Sequence, residues 1–159
     1  MPTSAILISS DRAASGIRPD RTTALLSDKL SALGFDVVHN AVVPDDKLGI
    51  VKTLRAWVNE GIEVILISGG TGVAPTDVTP EATLEVITRR VPGMEEAMRR
   101  VSHEKTPFAM LARGVVGIAR SSLVINLPGS PTGAVENLEV VAPVLEHALE
   151  LIQGGTPDG

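Results

Sequence analysis

At 159 residues, with 43% hydrophobic and 21% charged content, the chain is large enough for a substantial core and ordinary for a globular protein. A formal net charge of −5, with one Trp, two Phe and no Tyr, argues against nucleic acid as a partner, because cationic tracks and stacking platforms are both missing. The absence of Cys excludes disulfides, thiolate catalysis and Cys-ligated zinc or iron–sulfur sites. No apolar run approaches a membrane span, and Met1 to Ser4 lead straight into a strand without a basic signal region. The expectation is a soluble cytoplasmic protein that contacts no membrane.

The apolar run Ala5 to Ile8, ending at Ser9, reads as a buried first strand, followed by a polar loop over Ser10 to Gly16. A helix starting near Asp20 carries Leu26, Leu30 and Leu33 on one face and stops at Gly34. Asp36 to Val43 is the second strand, and after Pro44-Asp45-Asp46 a helix places Ile50, Leu54, Trp57 and Val58 on one stripe up to Gly61. Val64 to Ser68 reads as a fully buried parallel strand. A helix from Thr79 carries Leu84 and Ile87 toward Pro92-Gly93, and a weakly amphipathic helix covers Met94 to His103. Lys105 to Arg113 is ambiguous, with a short helix after Pro107 as one reading. Gly114 to Ala119 and Ser122 to Leu127 form a hairpin turning at Arg120-Ser121. The last helix bears Leu138, Val141, Leu145, Leu149 and Ile152, and residues 154–159 form a frayed tail. This alternation predicts an α/β fold: one three-layer domain over residues 1–159, with a mainly parallel doubly wound sheet and a small hairpin.

The most informative stretch joins the third strand to its helix. Ser68-Gly69-Gly70-Thr71-Gly72 permits a sharp turn and close approach to backbone N–H groups. Thr79-Pro80-Glu81 then reads as N-cap, first helical proline and first-turn acid. Strand, glycine turn and helix N-terminus together suit a phosphate. The loop is neither a Walker A motif, lacking Gly-Lys-Ser/Thr, nor a good dinucleotide fingerprint, with Pro75 where a third small residue belongs. In a doubly wound sheet the loops at the carboxyl ends of the strands share one edge. That edge receives Asp11, Asp45, Asp46 and Asp77, of which one of the Asp45/Asp46 pair caps a helix. Carboxylates facing phosphates call for a divalent cation between them, so Mg²⁺ with a nucleotide is the economical inference.

Four ordered motifs resemble the signature of the Mog/MoaB molybdopterin-binding family. They are Ser10-Asp11-Arg12-Ala13-Ala14-Ser15-Gly16, Pro44-Asp45-Asp46, Ser68 to Gly72 with Asp77-Val78-Thr79-Pro80-Glu81-Ala82, and Asn126-Leu127-Pro128-Gly129-Ser130-Pro131. The resemblance implies a homotrimer in molybdenum cofactor biosynthesis that binds molybdopterin and ATP. It implies Mg²⁺-dependent adenylylation with release of diphosphate, a molybdenum-insertion protein as a further partner, and Asp45 and Asp77 as the functional aspartates. Asp77 is then the metal ligand. Ser10, Asp11, Ser68, Gly69, Gly70, Thr71, Gly72, Thr79, Pro80, Glu81, Gly129, Ser130 and Pro131 are expected to contact substrate or nucleotide.

One departure matters. Many members of the family have Arg directly before the Asp-Val-Thr-Pro unit, where this chain has Thr76. Arg12, Arg21 or Lys105 then has to supply the positive phosphate ligand, and the substitution favours a competing reading as a non-catalytic molybdopterin carrier. His39, His103 and His147 lack metal-ligand spacing and read as surface or packing residues. Ser130 reads equally as a turn residue or a ligand contact, Trp57 as core or subunit interface, and Arg99-Arg100 as a solvated pair, with an electropositive funnel for an anionic substrate as the alternative.

Overall fold

The computed structural model describes residues 1–155. Six strands form one mixed sheet: β1 (Thr3–Ser9), β2 (Asp36–Val43), β3 (Val64–Ser68), β4 (Arg89–Arg90), β5 (Val116–Ala119) and β6 (Ser122–Leu127). Their spatial order is β2-β1-β3-β6-β5-β4, with the first four in that order parallel and the last two antiparallel to their neighbours. The helices are α1 (Asp11–Ala14), α2 (Thr22–Ala32), α3 (Lys47–Glu60), α4 (Thr79–Val86), α5 (Pro92–Lys105) and α6 (Pro131–Ile152), with a 3-10 helix at Pro107–Leu111.

Side-chain alternation along the buried strands builds two cores. Ile6, Ile8, Val64 and Leu66 point to one face and pack with Leu26 and Leu30 of α2 and Leu138, Val141 and Leu145 of α6. Ala5, Leu7, Ile65 and Ile67 point to the other, against Ile50, Leu54 and Trp57 of α3 and Ala82 of α4. A three-layer α/β fold results. The chain crosses from β1 to β2 through α2 and returns to β3 on the far side of β1 through α3. The strand order therefore switches direction between β1 and β3, which leaves a crevice beyond Ser9 and Ser68.

The elements differ from expectation where tertiary contacts outweigh local pattern. Ser10 does not sit in an open loop: it caps the single turn of α1, accepting from the Ala13 N–H at 3.2 Å. Thr79 is the first helical residue rather than the cap of α4, and its hydroxyl makes no capping bond. Leu33, at the C-cap of α2, and Leu84, 45% exposed on α4, both face outward. Trp57 lies in the core, 8% exposed, with His39 stacked on it at a centroid distance of 6.0 Å. The tail expected beyond Gly154 lies, from residue 156 on, outside the described residues.

Two further differences involve the antiparallel edge. The two-residue strand β4 is too short to register as a period-2 pattern, and it extends the sheet through Arg89↔Ile118 and Arg90↔Gly117. Arg99 is not a solvated partner of Arg100. It donates to the Gly114 carbonyl at 3.0 Å and to Glu95 at 3.4 Å. Glu95 is 2% exposed and also accepts from Arg90 at 2.5 Å and from the Val116 N–H at 2.9 Å. One carboxylate thus ties α5, β4 and β5 together. Glu95→Ala leaves two guanidinium groups and a backbone N–H without their acceptor and is expected to lower unfolding stability by about 3 kcal/mol. Removing an exposed pair with Glu139→Ala, which frees Lys29, is expected to cost under about 1 kcal/mol. Urea denaturation of both variants measures the difference, and equal losses would rule out a special role for Glu95.

Candidate functional site

The crevice at the strand-order switch is a cavity of about 620 Å³. Its floor is the Gly69–Gly70 turn, which leaves β3 with φ of +100° and +65°. A Cβ on Gly69 would lie 2.3 Å from the Ser9 carbonyl oxygen, and one on Gly70 would lie 2.5 Å from Thr79 Oγ1. Only glycine lets β3 turn this close to β1 and α4. The turn is held from both ends: the Gly69 N–H donates to the Leu127 carbonyl at 3.2 Å, and the Thr79 N–H to the Gly70 carbonyl at 3.1 Å.

Asp45 enters from the end of β2. Ser9 Oγ donates to its Oδ1 at 2.7 Å and the Asp11 N–H to its Oδ2 at 3.3 Å. The Asp45 N–H donates in return to Asp11 Oδ1 at 2.8 Å. This reciprocal bond fixes the Asp45 carboxylate beside the glycine turn and leaves further lone pairs on both oxygens. Asp77 is held within its own loop, accepting from the Ala74 N–H at 2.9 Å through Oδ2, and also lines the cavity. Ser130 caps α6, accepting from the Gly133 N–H at 3.1 Å, so a 22-residue helix directs its N-terminus at the same space.

The cap expected of one of the Asp45/Asp46 pair falls to Asp46, and the convergence of the other three carboxylates is corrected at Asp11. Asp46 caps α3 through the Gly49 N–H at 3.2 Å, and Asp11 is spent on bracing Asp45. The wall carries Asp45 and Asp77, together with Asp20, whose carboxylate caps the start of α2 through the Thr22 N–H at 3.0 Å. Among the described residues no group of three His, Asp or Glu side chains is placed to hold a metal ion. The two available carboxylates fit a divalent cation that brings phosphate oxygens as its other ligands.

Of the other residues expected to contact ligand, Ser10, Ser68, Gly69, Gly70, Gly129, Ser130 and Pro131 line this cavity. Ser68 does so with its hydroxyl already donating to the Pro128 carbonyl at 2.7 Å. Thr71 and Gly72 instead line a second cavity of about 440 Å³, walled by Phe108, Ala109, Leu111 and Ala112, and Gly129 and Ser130 border both. Thr79 and Pro80 are buried, and Thr79 Oγ1 has no hydrogen-bond partner among the described residues. Glu81 lines neither cavity and pairs with Arg113 at 2.7 Å. Of the cations considered as substitutes at position 76, Arg21 lines the first cavity, whereas Lys105 borders the second, paired with Glu136 at 2.8 Å. Arg12 lines neither.

Sequence reasoning missed Arg113. Its Nε donates to the Gly72 carbonyl at 2.6 Å, its Nη2 to the Asp77 carbonyl at 2.9 Å, and its N–H to the Thr71 carbonyl at 2.8 Å. The guanidinium is the strut of the glycine loop, and it sits at the end of the segment whose local pattern was ambiguous. The bond from Arg113 holds the Glu81 carboxyl below its ordinary value of 4.5, although partial burial opposes that shift. A lowered folded-state value stabilises the protein above pH 4.5, and that stabilisation disappears as pH falls through the lowered value. Glu81→Gln is therefore expected to flatten the acid limb of stability below that pH. Urea midpoints across an acid series test this, and parallel wild-type and variant curves would refute it.

The model of a family described as a probable molybdopterin binding domain matches residues 5–147. The bifunctional molybdenum cofactor biosynthesis protein of Chlorobaculum tepidum is 39% identical over 153 residues, covering 96% of this chain and 49% of that protein, so the chain spans about half the length of that relative. A molybdopterin adenylyltransferase of Helicobacter pylori (strain J99) is 37% identical over 152 residues, covering 94% of this chain and 86% of the relative. The crystal structure of the molybdopterin biosynthesis enzyme MoaB from Thermus thermophilus superposes with a TM-score of 0.92 at 48% identity, over 97% of this chain and 98% of that one. The chain belongs to the molybdopterin-binding family of molybdenum cofactor biosynthesis proteins.

Proposed function

We propose that this protein, acting as one molybdopterin-binding domain, adenylylates molybdopterin with Mg-ATP and releases diphosphate. The observation that carries the reading is the common wall formed by the Gly69–Gly70 turn, the braced Asp45 carboxylate, Asp77 and the Ser130-capped end of α6. The nucleotide phosphates occupy the first cavity. The pterin occupies the more apolar second one, reached across Gly129 and Ser130, which the two cavities share.

In this reading a terminal phosphate oxygen of molybdopterin bonds to the α-phosphorus of ATP as the bond from that phosphorus to the bridging oxygen of diphosphate breaks. The nucleophile is already anionic, so no strong base is needed. The protein contributes alignment and charge neutralisation. Asp45, fixed by Ser9 and Asp11, orients the reacting groups, and Asp77 is the residue that would hold Mg²⁺ against the nucleotide. The cation supplies neutralisation of charge on the leaving diphosphate. The assembly is a cytoplasmic homotrimer that passes its product to a molybdenum-insertion protein. The alternative, a carrier that binds molybdopterin without nucleotide chemistry, is favoured by Thr76.

Purified protein given molybdopterin, ATP and Mg²⁺ is expected to release diphosphate, with all three components required. Asp45→Ala and Asp77→Ala are each expected to lower the rate roughly 100-fold or more while the fold is kept. Tight molybdopterin binding without diphosphate release would establish the carrier instead. Light scattering is expected to give three times the 16.6 kDa chain mass, and a monomeric mass would refute the trimer.

A further inference from the structure

The cations of the first cavity remain unassigned. Arg113, the cation nearest the glycine loop in its bonding, has its guanidinium committed to Gly72, Asp77 and Glu81, and it does not line the cavity. Lys47, Arg90 and Lys105 are likewise in ion pairs, with Glu85 at 2.6 Å, Glu95 at 2.5 Å and Glu136 at 2.8 Å. The cavity wall nevertheless includes two arginines, Arg18 and Arg21, from the segment joining α1 to α2. Among the described residues neither guanidinium is in an ion pair. Asp20 lies between them in sequence, but its Oδ1 accepts from the Thr22 and Thr23 N–H groups at 3.0 and 3.2 Å and its Oδ2 from the Thr23 hydroxyl. The segment is tied back to α1 by the Arg18 N–H, which donates to the Arg12 carbonyl at 3.2 Å.

An unpaired arginine pair on the wall of a cavity that also displays Asp45 and Asp77 has a physical consequence. A polyphosphate entering there is repelled by the two carboxylates, and the guanidinium groups offset that repulsion through bidentate N–H···O bonds. Position matters as well. The reacting α-phosphate belongs near Gly129 and Ser130, where the two cavities meet, whereas Arg18 and Arg21 line the first cavity only. Resting on the nucleotide reading given above, we propose that Arg18 and Arg21 grip the β- and γ-phosphates of ATP, and hence the departing diphosphate. They then do from the α1–α2 segment what an arginine at position 76 would do from the glycine loop.

Calorimetric titration of the intact protein with Mg-ATP, AMP and inorganic diphosphate separates the possibilities. Arg18→Ala/Arg21→Ala is expected to bind ATP and diphosphate roughly 10- to 100-fold more weakly, with AMP affinity within about twofold of wild type. Arg18→Lys is expected to recover part of the loss, since an ammonium keeps the charge without the fork. Unchanged ATP affinity in the double variant would overturn the assignment while leaving the nucleotide reading intact. An equal fall in AMP and ATP affinity would also overturn it, placing the pair on the nucleoside or in loop folding. A wild-type protein that binds none of the three would overturn the nucleotide reading itself.

Discussion

The site depends on one close approach, that of the Gly69–Gly70 turn to the end of β1. With the Ser9 carbonyl only 2.3 Å from where a Cβ on Gly69 would lie, the chain can leave β3 at this angle only without a side chain. Because the turn is pressed against β1, Ser9 and the Asp45 it binds stand beside the loop from β3. On the other side the same turn meets Leu127 at the end of β6, which places the Ser130 cap of α6 on the same cavity. Residues separated by more than a hundred positions are brought to one wall by a single turn.

Around this turn the acidic and basic groups are treated differently. Each carboxylate near the cavity is positioned by backbone or hydroxyl donors: Asp45 by Ser9 and Asp11, Asp77 by Ala74, Asp20 by the start of α2. Fixed acceptors lose little freedom when a cation and its phosphates arrive, which is the benefit of preorganisation. Arg113 is fixed too, but as an internal strut: it holds three points of the loop from Thr71 to Asp77 and neutralises Glu81. Among the described residues, the arginines that line the cavity are Arg18 and Arg21 of the α1–α2 segment, and neither is in an ion pair.

The antiparallel edge follows the same economy at a distance. Glu95, nearly excluded from solvent, satisfies two arginines and a strand N–H. One of those arginines, Arg99, also lines the second cavity. Packing of α5 is thereby linked to the wall where the pterin is proposed to lie.

Much was legible locally. Buried β-branched runs, helical spacing and turn residues determined the three-layer architecture, because strand and helix periods are properties of short windows. The ordered motifs at Ser10, Pro44, Ser68 and Asn126 pointed to the family for a related reason: glycine, proline and aspartate at set spacings encode backbone turns directly. Other features only the tertiary structure decided. It turned Leu33 and Leu84 outward, shifted Thr79 into the helix, and added β4 to the sheet. It assigned Asp11 to a brace, Glu81 and Arg113 to each other, and Arg18 to the cavity. A charged side chain's role depends on which partner lies within about 3 Å of it, and those partners lie tens of residues away in sequence. The sequence by itself determined where the chain turns and what can be buried; which charges meet, and which are left to meet a ligand, was settled only when the strands came together.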